Sequence, residues 1–351
     1  MKLFLCQHCS QLLYFENRQC QNCGHRLGYL PSVATLSALE HDNNVWRALA
    51  LPTGRFRFCN NAQYDACNWL VPAESSETFC AACRYNRTIP DLTRRENLER
   101  WGKFELAKHR LFYALIRLGL PLPSRTEDPD QGLVFDFLAD AGGHKVMTGH
   151  EDGLITINLS EADDAEREKL RLAMGETYRT LLGDLRHEAG HYFWDRLVRD
   201  AGRLETFREF FGDERQDYEI VLQARYANGP ARNWQQSYIS SYAAVHPWED
   251  FAETWAHYLH IVDTLEMAFA FGIGIRPGIN ERTGPGVALN FDPYDTGSIH
   301  RLIEAWLPLT FAVNSIIRYM GEADFYPFVL SPPAVAKLGF IHELVHQNRR
   351  V

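Results

Sequence analysis

Cysteine is absent from residues 84–351, although eight occur before them, at positions 6, 9, 20, 23, 59, 67, 80 and 83. No disulfide can staple the larger part of the chain, which must fold on a core of its own or around another kind of ligand. Uninterrupted apolar runs of the ~20 residues needed to span a bilayer are also absent. The nearest stretch, Ile261–Ile275, carries Asp263 and Glu266. The opening residues MKLFLCQHCSQ lack the apolar stretch and small-residue cleavage site of a secretory signal. Positive charge is not in excess: 36 Lys and Arg stand against 45 Asp and Glu, a net −9. The deficit is uneven. Residues 1–93 hold eight basic and seven acidic side chains, and the remainder holds 28 against 38. A chain this acidic is not built to bind phosphate backbones as its main task. Internal repeats and low-complexity segments are missing too. These absences point to a cytoplasmic protein whose thiols hold metal. What is present is globular composition, 46% hydrophobic and 23% charged, in a chain long enough for about two domains.

Cys6-x2-Cys9 and Cys20-x2-Cys23 are two CxxC pairs ten residues apart. Each pair makes a tight turn that aims two thiolates at one ion, the pattern of a tetrahedral zinc site. So small a unit has little apolar core, so zinc supplies its folding energy. Cys59, Cys67, Cys80 and Cys83 form a looser set, with only Cys80-Ala-Ala-Cys83 as a close pair. A second structural zinc is expected there; the bland alternative, buried thiols acting as small hydrophobes, stays open for Cys59 and Cys67.

Apolar spacing from Leu98 to Leu118 predicts a helix capped by Asn97 and ended by Gly119 and Pro121. Short β-rich runs follow at 133–138, 145–147 and 154–159, and an antiparallel meander fits them. From Ala165 the pattern turns helical, with helices expected over about 177–200, 204–225, 233–244, 248–270, 298–319 and 333–347. Gly272–Gly297, rich in Gly and Pro, interrupts them and reads as a functional lid or mobile segment.

The sharpest motif is His187-Glu188-Ala-Gly-His191. On a helix the two histidines lie one turn apart on one face and can reach one zinc. Glu188, about 100° around from His187, can face the zinc's water and act as general base. A second copy, His342-Glu343-Leu-Val-His346, ends five residues before the last residue, so no third ligand follows it. Its histidines read as surface or packing residues.

A catalytic zinc needs a third protein ligand and an open fourth position. The extended motif with a third ligand six residues after the second His is absent, since Leu197 stands there and Trp194 replaces its glycine. A later helix offers an alternative. Glu249, Glu253 and His257 fall at i, i+4 and i+8 beside the apolar Phe251, Trp255, Tyr258 and Leu259. Glu249 is assigned as third ligand and Glu253 as partner to a ligating histidine; Asp213, Glu214 and Asp217 are the runners-up. Asp195, one turn beyond His191, either braces the site or pairs with Arg199.

The His187 motif with Tyr242 and Glu249-Asp-Phe-Ala-Glu253 resembles the gluzincin metallopeptidases, particularly the branch of anthrax lethal factor. That resemblance implies that Tyr242, seven residues before Glu249, helps stabilise an oxyanion. It also implies that a strand edge at Leu154–Leu159 pairs with extended substrate. Over nearly its whole length the chain resembles a bacterial zinc-binding metallopeptidase family with an N-terminal zinc ribbon. The matching stretches are the CxxC pairs, Cys67–Pro72, Cys83–Asp91, Tyr178–Gly183, the His187 motif and His246–His260. Implied with it is an α+β fold: a zinc ribbon (1–30), a second four-cysteine module (31–93) and a zincin-like domain (94–351). That last domain would combine a short antiparallel sheet, an active-site helix and a mostly helical second half. The expected function is peptide-bond hydrolysis with one catalytic and two structural zinc ions, peptide or protein as substrate, and a possible protein partner at the ribbons. An inactive zincin scaffold carrying a binding ribbon, or a hydrolase of a non-protein amide, are the rival readings. The acidic larger segment favours basic peptides.

Overall fold

The computed structural model describes residues 2–140, 145–176, 179–229, 231–276, 287–288 and 290–347. Residues 277–286 and 289 of the glycine-rich stretch expected to form a lid lie outside them. The chain divides into two compact units, residues 1–167 and 168–351.

In the first unit, β1 (Phe4–Leu5) and β2 (Leu12–Leu13) form an antiparallel pair around the first CxxC turn. Both turns of this ribbon are built alike. The amide of Ser10 bonds the carbonyl of Cys6 at 2.8 Å, and the amide of Gly24 bonds that of Cys20 at 2.9 Å. Each of these donors sits in the left-handed region, Ser10 at φ 59° and Gly24 at φ 75°. This reversal turns both thiols of a pair the same way.

Five strands then form an antiparallel sheet in sequential order: β3 (Arg26–Leu30), β4 (Thr35–Asp42), β5 (Val45–Ala48), β6 (Leu51–Phe58) and β7 (Leu70–Pro72). Leu30, Leu39, Ala48, Phe56 and Leu70 make its core. β3 leads directly from the ribbon into this sheet, and Tyr29 on it packs against Phe15 and Trp69.

β8 (Asn86–Thr88) precedes α1 (Arg95–Arg117). The helix starts before the expected Asn97 cap. Asn97 instead lies inside the first turn and donates its amide to the Asp91 carbonyl at 3.1 Å. The expected stop holds: Gly119 takes φ 66° and closes the last turn.

β9 (Val134–Leu138), β10 (Gly149–Glu151) and β11 (Leu154–Asn158) join β8 in a sheet of order β10-β11-β9-β8. The antiparallel meander is corrected here. Only β10 and β11 are antiparallel, through a tight Asp152-Gly153 turn with both φ positive; β9 is parallel to β11 and to β8. Residues 145–147 are not a strand. Phe135, Phe137, Ile155 and Ile157 are fully buried, but a strand buries the same residues whichever way its neighbour runs. The same order removes Leu154–Leu159 as a free edge, because β10 and β9 flank β11.

The boundary between the units falls within α2 (Asp164–Met174). The second unit holds α3 (Leu181–Trp194), α4 (Leu204–Phe211), α5 (Tyr218–Asn228) and α6 (Pro247–Ala270). The short pair β12 (Gly274–Ile275) and β13 (Val287–Ala288), then α7 (Ile299–Tyr319) and α8 (Pro332–Gln347), complete it. The single helix expected over 204–225 is two. Gly212, at φ 95°, ends α4, and the Asp217 carboxylate caps α5 by accepting from the Ile220 amide at 3.0 Å. The helix expected over 233–244 is replaced by turns and one 3-10 turn. Ser240 binds the backbone there, accepting from the Ala243 amide, and competes with helical bonding. Pro247 forces His246 into an extended conformation and begins α6, while the His246 ring accepts from the Trp248 amide at 3.1 Å.

α3 and α6 pack at a glycine. A Cβ on Gly190 would stand 2.8 Å from the Ala252 Cα, so the two backbones meet there closely. Beside that point the Phe193 and Trp255 rings stack at 4.7 Å.

Candidate metal centres

Four sulfurs converge twice in the first unit. Cys6 and Cys23 lie 3.6 Å apart, Cys9 and Cys20 lie 3.6 Å apart, and in the second group Cys67 and Cys80 lie 3.7 Å apart. A zinc–sulfur bond of about 2.3 Å in a tetrahedron gives sulfur–sulfur edges of about 3.8 Å. The observed separations match those edges. The Asn22 side chain and the Gln11 amide draw the Cys9 thiol down to about 6. In the buried second group, burial pushes Cys67 and Cys83 up. Cys80 falls well below the usual thiol range, because hydrogen bonds from Cys59, Cys67 and Cys83 outweigh the same burial.

The third centre is in the second unit. Thr180 caps α3 by accepting from the Gly183 amide, and the helix places His187 and His191 one turn apart. α6 brings Glu249 opposite them. His187 Nε2 and His191 Nε2 are 3.1 Å apart, and Glu249 Oε2 lies 3.0 Å from the first and 3.5 Å from the second. Zinc bonds of about 2.0–2.1 Å give tetrahedral edges of about 3.3–3.4 Å. Glu249 Oε2 is buried and accepts no hydrogen bond in the structure. A buried carboxylate oxygen facing two imidazole nitrogens is what a cation would satisfy, so the donor set fits zinc.

Supporting contacts orient these ligand atoms. His187 Nδ1 meets Glu253 Oε1 at 2.7 Å, and the Ser240 hydroxyl donates to Glu253 Oε2 at 2.5 Å. The carboxylate only accepts, so Nδ1 carries the proton and Nε2 keeps its lone pair for the metal. Tyr218 donates to Glu249 Oε1 at 2.7 Å. Trp248 stacks on the His191 ring at 3.6 Å. Burial would raise Glu249, but His191 and His187 hold it far below the usual carboxylate range. Glu188 is buried as well, and burial lifts its carboxyl above the ordinary value. The neighbouring Asp250 forms a buried ion pair with Lys337 at 2.5 Å, and burial pushes it up to about 7 against that cation.

Tyr242 lies beside the centre, its ring 5.9 Å from that of His187. Asp195 receives Arg199 at 2.6 Å. The runners-up are engaged elsewhere: Asp213 with Arg215, Glu214 with Arg208 and Asp217 at its cap. The second HExxH copy gathers no third donor among the described residues. Its His342 is buried, with Nδ1 3.0 Å from the Tyr258 hydroxyl, and His346 Nδ1 bonds the His342 carbonyl at 2.8 Å. Tyr218, Ser240 and Trp248 had no signal at sequence level. Only Trp248 was adjacent to an assigned residue.

Two cysteine clusters and a His–His–Glu group between two helices are donor sets that could each hold a metal ion. The chain belongs to the family described as "Putative zinc-binding metallo-peptidase", whose model matches residues 97–344, and a zinc-ribbon domain model matches residues 3–94. Zinc is its cofactor. Uncharacterized proteins of Mycobacterium bovis and of two Mycobacterium tuberculosis strains are 39% identical over 348 residues, covering 99% of this chain and 96% of theirs. No solved structure matches the chain. No helix among the described residues is long and apolar enough to cross a membrane.

Proposed function

We propose that the protein is a gluzincin-type zinc metallopeptidase of the anthrax lethal factor kind. The observation that carries the reading is the convergence of His187, His191 and the unpartnered Glu249 oxygen on tetrahedral edges, next to a buried Glu188. Zinc held by these three side chains would supply an acidified water and a Lewis acid for a carbonyl. The remaining work belongs to the chain. Glu188 takes the proton from the attacking water and delivers it to the leaving amine. Its burial raises its proton affinity toward the range a general base needs near neutral pH. Tyr242, beside His187, donates to the developing oxyanion; such donors typically contribute ~2.7–4 kcal/mol. Glu253 and Ser240 hold His187 in the ligating tautomer, and Tyr218 holds Glu249.

The two cysteine clusters hold structural zinc. The substrate is a peptide or protein, and the ribbons are the surface for a protein partner. The eight thiols, none in a disulfide, suit the cytoplasm. Glu188→Gln should abolish hydrolysis of a peptide library while leaving the zinc content unchanged. Retained hydrolysis would remove Glu188 from its role.

A further inference from the structure

The second cysteine cluster has a fifth donor that neither the cysteine spacing nor the zinc-ribbon match includes. His109, on α1, is buried, and its Nε2 lies 3.2 Å from Cys67 Sγ, 3.5 Å from Cys83 Sγ and 4.0 Å from Cys80 Sγ. A tetrahedral zinc with three bonds of about 2.3 Å to sulfur and one of about 2.05 Å to nitrogen has nitrogen–sulfur edges of about 3.6 Å. The three distances bracket that value. The other ring nitrogen settles the tautomer. Nδ1 lies 2.6 Å from the Glu105 backbone carbonyl, which can only accept, so Nδ1 carries the hydrogen. In the neutral ring Nε2 is then a bare lone pair aimed at the sulfurs. A ligating histidine characteristically makes this same bond from its other nitrogen to a carbonyl.

Charge decides which four of the five donors serve. Zinc with four thiolates carries −2, and with three thiolates and an imidazole −1. The cluster is buried, and more charge costs more to desolvate. A further carboxylate oxygen, Glu105 Oε2, stands 3.3 Å from Cys83 Sγ. The nearby Lys108 cation is already paired with Glu105 at 2.5 Å. The surroundings thus favour the less negative set. Cys67, Cys80 and Cys83 are the sulfurs that approach Nε2 to within 4.0 Å.

We propose that the second zinc is held by Cys67, Cys80, Cys83 and His109 Nε2, with Cys59 as an outer sulfur that accepts the Cys80 amide at 3.4 Å. The proposal rests on the reading of this cluster as a zinc site. It gives the metal a second task. The cysteines lie within the ribbon match and His109 within the peptidase match, so one ion ties the two segments together.

The test loads the full chain, labelled with 15N-histidine, with 113Cd and reads one-bond cadmium–nitrogen coupling by NMR. Three coupled histidines are expected, His187, His191 and His109. In the His187→Ala/His191→Ala chain one should remain, and His109→Gln should remove it. No coupled histidine in the double variant overturns the proposal, whether or not any other variant folds. Metal content by plasma mass spectrometry, measured on the same samples, separates the causes. Two bound ions in the double variant with no coupling reject His109 alone, and one ion rejects the second zinc site with it.

Discussion

Gly190→Ala tests whether the contact between α3 and α6 sets the metal centre. Gly190 lies between His187 and His191 on α3, and Ala252 lies between Glu249 and Glu253 on α6. The added methyl would stand 2.8 Å from the Ala252 Cα, 3.2 Å from its carbonyl oxygen and 3.2 Å from the Trp255 Cβ. Ordinary carbon contacts are about 3.5–4.0 Å, so the helices must separate by about 0.7–1.2 Å. Two of the three struck atoms are backbone, and a rotamer change cannot relieve them. The edges from Glu249 Oε2 to the two histidines, 3.0 and 3.5 Å, would open with the helices. Metal–ligand distances tolerate only about 0.2 Å. We therefore expect the zinc affinity of this centre to fall about 10–100-fold, the size of effect seen when the support of a ligand is disturbed. Stability should change less. Overpacking costs about 1–3 kcal/mol, and alanine regains about 1 kcal/mol of helix propensity over glycine. Titration against a chromophoric chelator reads the result: one weakened zinc equivalent, two unchanged. An unchanged third equivalent would refute the idea that this close approach positions Glu249.

Three further outcomes are expected. Wild-type protein should hold three zinc ions by plasma mass spectrometry, and His187→Ala/His191→Ala two; a wild-type count of two would remove one of the three centres. Tyr218→Phe deletes the 2.7 Å bond to Glu249 Oε1, of the kind worth about 1.5–3 kcal/mol to a charged group. It should weaken the third zinc about tenfold or more and leave the cysteine sites alone, and equal affinity in the two proteins would refute the bracing role. Acid should destabilise the second unit through His257, which burial holds down at about 4. The unfolded chain takes up this proton from about pH 6.5, so the stability is whole above that pH and is lost as pH falls toward 4. By pH 5 the loss is about 2 kcal/mol, at 1.36 kcal/mol per unit. Urea midpoints at pH 7.5 and 5 should show a smaller drop in His257→Gln, and identical drops would contradict the account.

Legibility followed distance along the chain. The CxxC turns and the His187–His191 pair are local, because a turn or one helical turn places both side chains whatever surrounds them. The start of α6 was equally local, being a matter of Pro247. Glu249 was chosen among four carboxylates because it lay on an otherwise apolar helix face, and the structure puts it opposite both histidines. Helix ends governed by side-chain competition were misread, as at Ser240, where a hydroxyl takes the backbone bond a helix would need.

The sequence by itself determined the eight thiols in two groups, the histidine pair, Glu249 as the first choice among candidate carboxylates and the division between a cysteine-rich front and a larger α+β remainder. The thiol groups and the histidine pair follow from residue type and short spacing. The tertiary structure decided the parallel pairing of β9 with β8 and β11, the tyrosine on Glu249, the serine behind Glu253 and the approach of His109 to the cysteines. These bring together residues from 13 to 49 positions apart, such as Tyr218 with Glu249 and His109 with Cys67. Periodicity reports which face of an element is buried, but only packing selects which other element that face meets.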